Sequence, residues 1–339
     1  MVKLRLADIA ARTGVTVPTV SKVLNGRTDV APETRARIIE ILDESGYKRR
    51  SVRARSASEP KSAGFIDLIL NSVGKSWAIE VLGGVHTAAR AAGCDLVVTY
   101  SDPGAGSKDW VDRVVNRGSR GVVIERLGLD ASQKQRLAAA RIPCVIIDPG
   151  AEPPPGVLSV GAASWSGGYA AAQHLISLGH TKLAVIGGGL DTMASRARLD
   201  GFKSALTAAG IDLDPRWERQ ANWTRSGARV QANAILGVAD RPTAIFACSD
   251  RMAAGVYQSA RELGISIPDD LSVVGFDNLP EVRWLTPELT TIGQPVEEMG
   301  FTALQLILTR NRGDWLDSER IELSTTLVVR GSTAAPAQR

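Results

Sequence analysis

The sequence predicts two parts of different class, a small all-α headpiece over residues 1–47 and a larger two-lobed α/β core over residues 63–339. Three observations predict this. Short helical patterns broken by glycine fill the first part. A run dense in basic side chains follows at 48–62. From Ala63 onward, short apolar runs alternate with helical stretches. The chain has 339 residues, 44% hydrophobic and 22% charged. That composition excludes collagen-like, mucin-like and wholly disordered chains.

Leu6–Thr13 reads as a short helix with Leu6, Ile9 and Ala10 on one face, ended by Gly14-Val15. Thr16 is placed to N-cap a second helix, its hydroxyl accepting a backbone N–H left open by the first turn. Pro18 falls in that turn, where a missing N–H costs little. Val20, Val23 and Leu24 form an apolar stripe, and Asn25-Gly26 closes the helix. A third helix follows Pro32, with Ile38, Ile41 and Leu42 inward, and stops at Gly46. Val17, Pro18, Ser21 and Lys22 are left facing outward. Such a face suits the major groove of DNA: Lys22 can donate to guanine O6 and N7, while Val17 and Pro18 can touch thymine methyls. Thr16, Thr19, Ser21 and Asn25 are short polar groups able to reach phosphates. The expectation is a DNA-reading helix-turn-helix; the competing reading is a helical bundle for protein contacts.

Charge follows the same division. Residues 1–62 hold 13 Lys/Arg against 7 Asp/Glu, whereas the remainder holds 27 against 29. Within the run, Lys48, Arg49, Arg50, Arg53 and Arg55 crowd together. Alone, this would be a solvated linker. Beside a DNA-reading helix it serves to neutralise phosphate.

Leu6-Ala-Asp-Ile-Ala, Gly14-Val-Thr, Thr19-Val-Ser-Lys-Val-Leu-Asn-Gly26 and Glu33-Thr-Arg-Ala-Arg37 through Gly46-Tyr47 resemble the headpiece of the LacI/GalR (lactose-repressor) family. The sequence departs from that family's pattern at three places. Lys22 stands where the family usually carries Arg, replacing a bidentate fork with a point charge. Arg5 stands where a small capping hydroxyl is common. Ser56 stands where the family's hinge helix usually has a leucine that wedges into the minor groove, and serine is no apolar wedge. The resemblance therefore implies DNA contacts from Arg5, Thr16, Val17, Pro18, Thr19, Ser21, Lys22 and Asn25. The tether contributes Arg49, Arg50, Arg53 and Arg55.

In the core, Gly64–Leu70, Cys94–Tyr100, Gly121–Ile124, Cys144–Asp148, Leu183–Ile186, Thr243–Cys248 and Leu271–Phe276 read as strands. Between them, Val81, Val85, Ala88 and Ala92 keep helical spacing, as do Leu199, Phe202, Leu206 and Ala209. Alternation of this kind implies parallel sheets covered by helices. About 270 residues of it exceed one comfortable core, so two lobes are expected.

This portion also resembles the family, whose core is similar to a periplasmic sugar-binding protein with three crossovers between lobes. The carried motifs are Gly179-His180, Ser195-Arg-Ala-Arg-Leu-Asp-Gly-Phe202, Ser249-Asp-Arg-Met-Ala253, Pro268-Asp-Asp-Leu-Ser-Val-Val-Gly-Phe-Asp-Asn278 and Pro287-Glu-Leu-Thr-Thr-Ile292. They place crossovers near Ala162–Ser164, Thr290–Gly293 and Thr325–Leu327. The first lobe is then about 63–162 plus 293–325, and the second about 163–292 plus 326–339. The basic linker and the tryptophans look most like an actinobacterial-type subgroup of sugar-responsive regulators.

Ligands of open α/β sheets sit beyond the carboxyl ends of strands. Asp277 ends one strand and can accept two sugar hydroxyl protons; Arg198 can donate a fork. Both match effector positions of the family. Ser249 and Asp250 end another strand and line the same cleft, or Asp250 instead caps the helix that starts at Met252. The chain has seven Trp against four Tyr and five Phe. Trp77, Trp165, Trp223 and Trp284 lie near the family's pocket positions, where an indole can stack on the C–H face of a sugar. Trp110, Trp217 and Trp315 read as packing or surface residues.

Catalysis finds little support. His86, His174 and His180 are isolated, with His180 placed to cap a helix end. No Cys/His spacing implies zinc, and Gly187-Gly-Gly189 lacks the lysine of a phosphate loop. Cys94, Cys144 and Cys248 fit a reducing compartment. The expectation is a cytoplasmic, homodimeric repressor of carbohydrate-utilisation genes. It would bind operator DNA, be released by a small sugar effector, need no cofactor or metal, and have no membrane association. The alternatives are a purine-type co-repressed regulator, a sugar-binding protein with no DNA role, and an enzyme on the same scaffold.

Overall fold

The computed structural model describes residues 6–24, 30–44, 64–72, 74–101, 109–314 and 318–337. The chain divides into two compact units, Met1–Pro60 and Lys61–Arg339.

The first unit holds α1 (Leu6–Thr13), α2 (Val17–Leu24) and α3 (Pro32–Glu44). Ala10, Val20, Val23 and Ile38 are its buried centre, and Val15, Val30 and Ile41 pack around them. Gly14 takes φ +69°, a conformation that costs glycine no Cβ clash. It turns the chain so that the Val15 N–H reaches the Ala10 carbonyl at 3.1 Å. The Thr16 carbonyl accepts from the N–H groups of Thr19 and Val20, at 2.9 and 3.2 Å, opening α2. Its hydroxyl meets the hydroxyl of Thr19 at 3.0 Å, instead of the backbone N–H expected of a cap. Val17 and Pro18 are exposed on α2 and Thr19 is half-buried. The expectations for Arg5, Asn25, Arg49, Arg50, Arg53, Arg55, Ser56 and Trp315, and for the side chains of Ser21 and Lys22, fall outside the described residues.

The second unit has two lobes, each built on a six-stranded sheet. The first sheet has the order β11-β5-β4-β3-β1-β2, and all its pairings are parallel. Its strands are β1 (Phe65–Leu70), β2 (Asp95–Tyr100), β3 (Gly121–Glu125), β4 (Cys144–Ile147), β5 (Leu158–Ala162) and β11 (Arg320–Leu323). Helices α4 (Ser76–Ala91), α5 (Asp109–Arg117), α6 (Ala131–Ala139) and α11 (Val296–Arg312) belong to this lobe. Packing of α11 on α4 draws a helix that follows the second lobe in sequence back onto the first.

The second sheet runs β12-β10-β9-β8-β6-β7. It contains β6 (Leu183–Gly187), β7 (Glu218–Gln220), β8 (Ala244–Ala247), β9 (Ser272–Asp277), β10 (Thr290–Gly293) and β12 (Thr326–Val328). Only β12 is antiparallel. Helices α7 (Ser164–Ser177), α8 (Met193–Ala208), α9 (Arg225–Leu236) and α10 (Asp250–Glu262) complete the lobe. The chain passes between sheets after β5, after β10 and between β11 and β12. Residues 290–293 are therefore a buried strand of the second sheet, with the crossover following at Gln294 and Pro295.

Two packing features position the cleft. A column of buried rings, Phe202, Phe246 and Phe276, runs through the second lobe with centroids 5.3 and 6.4 Å apart. Beside it, α7 and α8 cross at contact. A Cβ on Gly168 would strike the Arg198 backbone, and one on Gly201 would strike the Trp165 carbonyl. Glycine at both points lets α8 lie close enough to bring Arg198 over Phe276.

His180 does more than its expected cap. Its ring is buried, with Nδ1 2.8 Å from Thr243 Oγ1 and Nε2 3.0 Å from Ser272 Oγ and 2.9 Å from the Ala334 carbonyl. Its backbone N–H caps the end of α7 on the Leu175 carbonyl at 3.2 Å as expected, and its ring fastens the C-terminal segment to the second sheet. Burial lowers its pKa, so the neutral ring is favoured.

Candidate functional site

Strand ends from both lobes meet at a cavity of about 240 Å³, lined by Lys75, Ser76, Trp77, Arg126, Trp223, Ser249, Arg251, Asp277, Leu279 and Glu281, with Gly74. The site follows from backbone geometry as much as from side chains. Arg126, Asp148, Asn222, Trp223, Asp277 and Asn278 all take positive φ at or just beyond the carboxyl ends of strands. Non-glycine residues held this way cost of order 1–3 kcal/mol each and cluster at functional sites.

On the second-lobe side, Arg198 is fully buried on α8. Its Nη1 donates to the Cys248 carbonyl at 2.6 Å and lies 3.4 Å from Asp277 Oδ1. The guanidinium carbon sits 3.7 Å from the Phe276 ring centroid and 5.4 Å from that of Trp223. Its Nε and Nη2 are buried without a hydrogen-bond partner. Gln294 Nε2 donates to the same Asp277 Oδ1 at 2.5 Å. Burial raises the Asp277 carboxyl above the usual carboxylate range, against the pull of Arg198 and Arg126.

Trp223 follows the short strand β7 and faces Gly188 at the end of β6. A Cβ on Gly188 would fall inside the indole, so Gly187-Gly-Gly189 is more than a turn: its middle glycine makes room for the ring. Ser249 closes β8 and caps α10, its Oγ accepting the Met252 N–H at 3.2 Å.

Asp250 corrects its expectation. It is the first residue of α10 and is buried, and it does not line the cavity. Oδ1 accepts from Thr291 Oγ1 at 2.5 Å, and Oδ2 accepts from the Leu279 N–H at 2.9 Å. Burial and the charge of Asp277 lift its pKa well above the ordinary range. It ties β9 and β10 to the head of α10, and Ser249 takes the capping role.

The first-lobe side is built from residues that sequence reasoning missed. Arg126 follows β3 and Asp148 follows β4, with φ +54° and +49°. Arg126 Nε and Nη2 lie 2.7 and 2.6 Å from Asp148 Oδ2. The Arg126 guanidinium lies 4.1 Å from the Trp77 ring centroid. Trp77 is only 4% exposed and packs into the first-lobe core, so it is no open platform; its buried Nε1 has no partner. A charged residue directly after an apolar strand, twice on neighbouring strands, is the signal that would have found this pair.

Two expected tryptophans lie elsewhere. Trp165 stacks on Tyr169 at 5.3 Å and lines a separate recess that includes Asp148. Trp284 is 80% exposed. It borders a larger hollow of about 880 Å³ that shares only Asp277 and Leu279 with the cleft. The larger hollow lacks Arg126 and Trp223, so size does not mark the site here. Trp110 and Trp217 are buried packing residues.

The cleft is equipped to bind. Two residues that line it carry an unpartnered buried atom, the donor Trp77 Nε1 and the acceptor Glu281 Oε2; Arg198, expected in the lining, lies behind Asp277 instead, with Nε and Nη2 unpartnered. The nearby Cys248 thiol is pushed up to about 12 by burial, which keeps it from acting as a thiolate. Among the described residues no group of three or more His, Cys, Asp or Glu side chains is placed to hold a metal. No described helix is long and apolar enough to cross a membrane.

Comparison with known proteins agrees with both units. Residues 5–50 match the pattern of bacterial regulatory proteins of the lacI family, and residues 172–333 match a periplasmic binding protein-like domain. The HTH-type transcriptional regulator MalR of Streptomyces coelicolor is 32% identical, covering 99% of this chain and 98% of that protein. Among solved structures, a transcriptional regulator CelR–cellobiose complex superposes with TM-score 0.73 at 28% identity, covering 97% and 99% of the two chains. The lac repressor dimer bound to operator and the anti-inducer ONPF gives TM-score 0.72 at 26% identity, covering 98% and 100%. A helix-turn-helix headpiece, a two-lobed core with parallel sheets, and similarity along the whole length establish that the chain belongs to the LacI family of DNA-binding transcriptional regulators.

Proposed function

We propose that the protein is a sugar-responsive repressor, homodimeric and cytoplasmic, whose cleft takes a small carbohydrate that lowers its affinity for operator DNA. One observation carries this reading. Asp277 and Trp223 line one cavity, and behind Asp277 lies Arg198, buried with two unpaired nitrogens and 5.4 Å from the Trp223 ring centroid. Every described bond to the Asp277 carboxylate reaches Oδ1. An indole offers stacking to the C–H face of a sugar ring, and a hydroxyl can satisfy a donor and an acceptor at once. The CelR structure holds cellobiose, which favours a carbohydrate over other small ligands.

Residues from both lobes line the cleft, so a ligand held there contacts both. It can change the lobe angle only through its differential affinity for the two arrangements. The lac repressor structure is a dimer on operator. A two-fold dimer of this chain would read matched half-sites. Val17 and Pro18 on the exposed face of α2 contact thymine methyls, and Lys22 contacts guanine.

The test is a thermal-shift screen of mono- and disaccharides on the full chain, with a purine base as the rival arm. A true effector at ~100 times its dissociation constant adds ~2.7 kcal/mol of stability and releases a retarded DNA duplex. Stabilisation by the purine alone would replace the sugar reading with co-repression.

A further inference from the structure

We infer that Arg126 is a ligand-contacting, specificity-setting residue of the first lobe: a guanidinium laid over Trp77 and locked by Asp148, presenting N–H donors to an oxygen-rich edge of the ligand. The inference rests on the sugar-binding reading of the cleft and adds which wall chooses the ligand, and by what chemistry.

Four observations converge on it. Arg126 and Asp148 end adjacent parallel strands, β3 and β4, paired through Ile146 with Ile124 and Ile147 with Glu125. Both residues adopt the left-handed conformation, which L side chains with long stems rarely take. Fixing two such residues side by side is what brings Nε and Nη2 of Arg126 onto a single Asp148 oxygen. Nη1 has no partner among the described residues, and Arg126 lines the cavity together with Trp223 and Asp277.

The two walls then differ in polarity. On the first-lobe side, Lys75, the Trp77 Nε1 and Arg126 are donors only, and the Ser76 hydroxyl can donate or accept. On the second-lobe side, Asp277 and Glu281 supply acceptors, beside the donor Arg251 and the hydroxyl of Ser249. A ligand spanning the cavity must turn acceptors toward Arg126 and hydroxyl protons toward Asp277. Trp77 does not offer the first-lobe stacking face, because Arg126 covers it; stacking is left to Trp223. The shared chemistry toward Arg126 is an edge of oxygen acceptors. Neighbouring ring or hydroxyl oxygens of a neutral sugar supply it, and so does the carboxylate of a sugar acid.

The experiment uses the full chain and four probes: cellobiose, D-xylose, D-glucose and D-glucuronate, titrated by calorimetry. The best-bound neutral probe and D-glucuronate distinguish the two sources of oxygen. Arg126→Ala should weaken the best probe by about tenfold or more, since a hydrogen bond to a charged donor is being removed. Arg126→Lys should recover part of that loss. Arg126→Ala/Asp148→Asn removes the carboxylate the single change orphans, so loss of binding can be separated from loss of folding. A second readout needs no ligand. Acrylamide should quench tryptophan fluorescence more strongly in Arg126→Ala than in wild type, and the increase should vanish when Trp77→Phe is added.

Affinity within about twofold of wild type for Arg126→Ala would overturn the contact. Unchanged quenching would overturn the cover over Trp77. If none of the four probes binds wild type, the sugar reading itself fails and the contact falls with it, an outcome distinct from loss in the variant alone.

Discussion

The two walls of the cleft are held by different physics. The second-lobe wall is an extension of its core. Arg198 lies on Phe276 of the buried ring column and bonds Asp277, while Thr291 bonds Asp250. The first-lobe wall is a partly exposed ion pair, Arg126 with Asp148, set by two left-handed backbone turns. Exposed pairs contribute little to stability, while breaking a buried pair leaves an uncompensated charge. Changes on the second-lobe side should therefore disturb fold and binding together. Changes on the first-lobe side should act on binding.

The largest effect expected is that of Asp277→Ala. It leaves the Arg198 guanidinium buried without its carboxylate and should cost about 3 kcal/mol or more in chemical denaturation, with the sugar response lost. Asp277→Asn keeps the Oδ1 acceptor but not the charge, and should recover part of the stability and little of the response. If Asp277→Ala were as stable as wild type, the description of this wall as part of the core would be wrong.

Gly188→Ala comes next. The new methyl collides with Trp223, and overpacking costs about 1–3 kcal/mol. Sugar affinity should fall while Arg198 and Asp277 stay in place. Unaltered affinity would mean that Trp223 is not a stacking face.

His180 tests the second lobe away from its cleft. Burial keeps its pKa below the usual value, so the unfolded chain takes up a proton first as pH falls. The stability tied to the neutral ring is complete above about pH 6.5 and is lost as pH drops from there toward the lowered native value. Melting temperature should decline from about pH 7 to about pH 5.5, with a shallower slope in His180→Gln. An identical slope would remove His180 from the account.

The smallest change is Ser249→Ala, which deletes the cap of α10 and should cost about 1 kcal/mol. Sugar affinity should fall no more than the loss of one neutral contact allows. A loss of more than about 2 kcal/mol would show that Ser249 holds the cleft and not only the helix.

The same contrast decides what could be read from the sequence. The strand-end positions of Ser249 and Asp277 were legible because each sits in a long motif at the end of an apolar strand, whereas nothing in the sequence showed that Arg198 lies behind Asp277 and outside the lining. β3, β6 and β8 were legible because they are buried along their length. β5 was missed because Ser159 and Gly161 interrupt its apolar pattern. β7, β11 and β12 were missed because they are edge strands of three or four residues. Asp250 was misread because a carboxylate at a strand end looks the same in sequence whether it turns to a ligand or to Thr291. Arg126 and Asp148 were missed for a further reason. Their role depends on backbone conformations that no residue type announces, and Trp77 looked like an open platform only because its cover came from 49 residues away.

The central claim is that occupying the cleft weakens the grip on DNA. Its most direct test is fluorescence anisotropy of a labelled pseudo-palindromic duplex, selected from random DNA by the full chain, titrated with the best-binding sugar. Wild type should release the duplex as the sugar saturates, and Asp277→Asn should hold it at the same sugar concentration. Saturation of the wild-type cleft, verified by calorimetry, with the anisotropy unmoved would contradict the account.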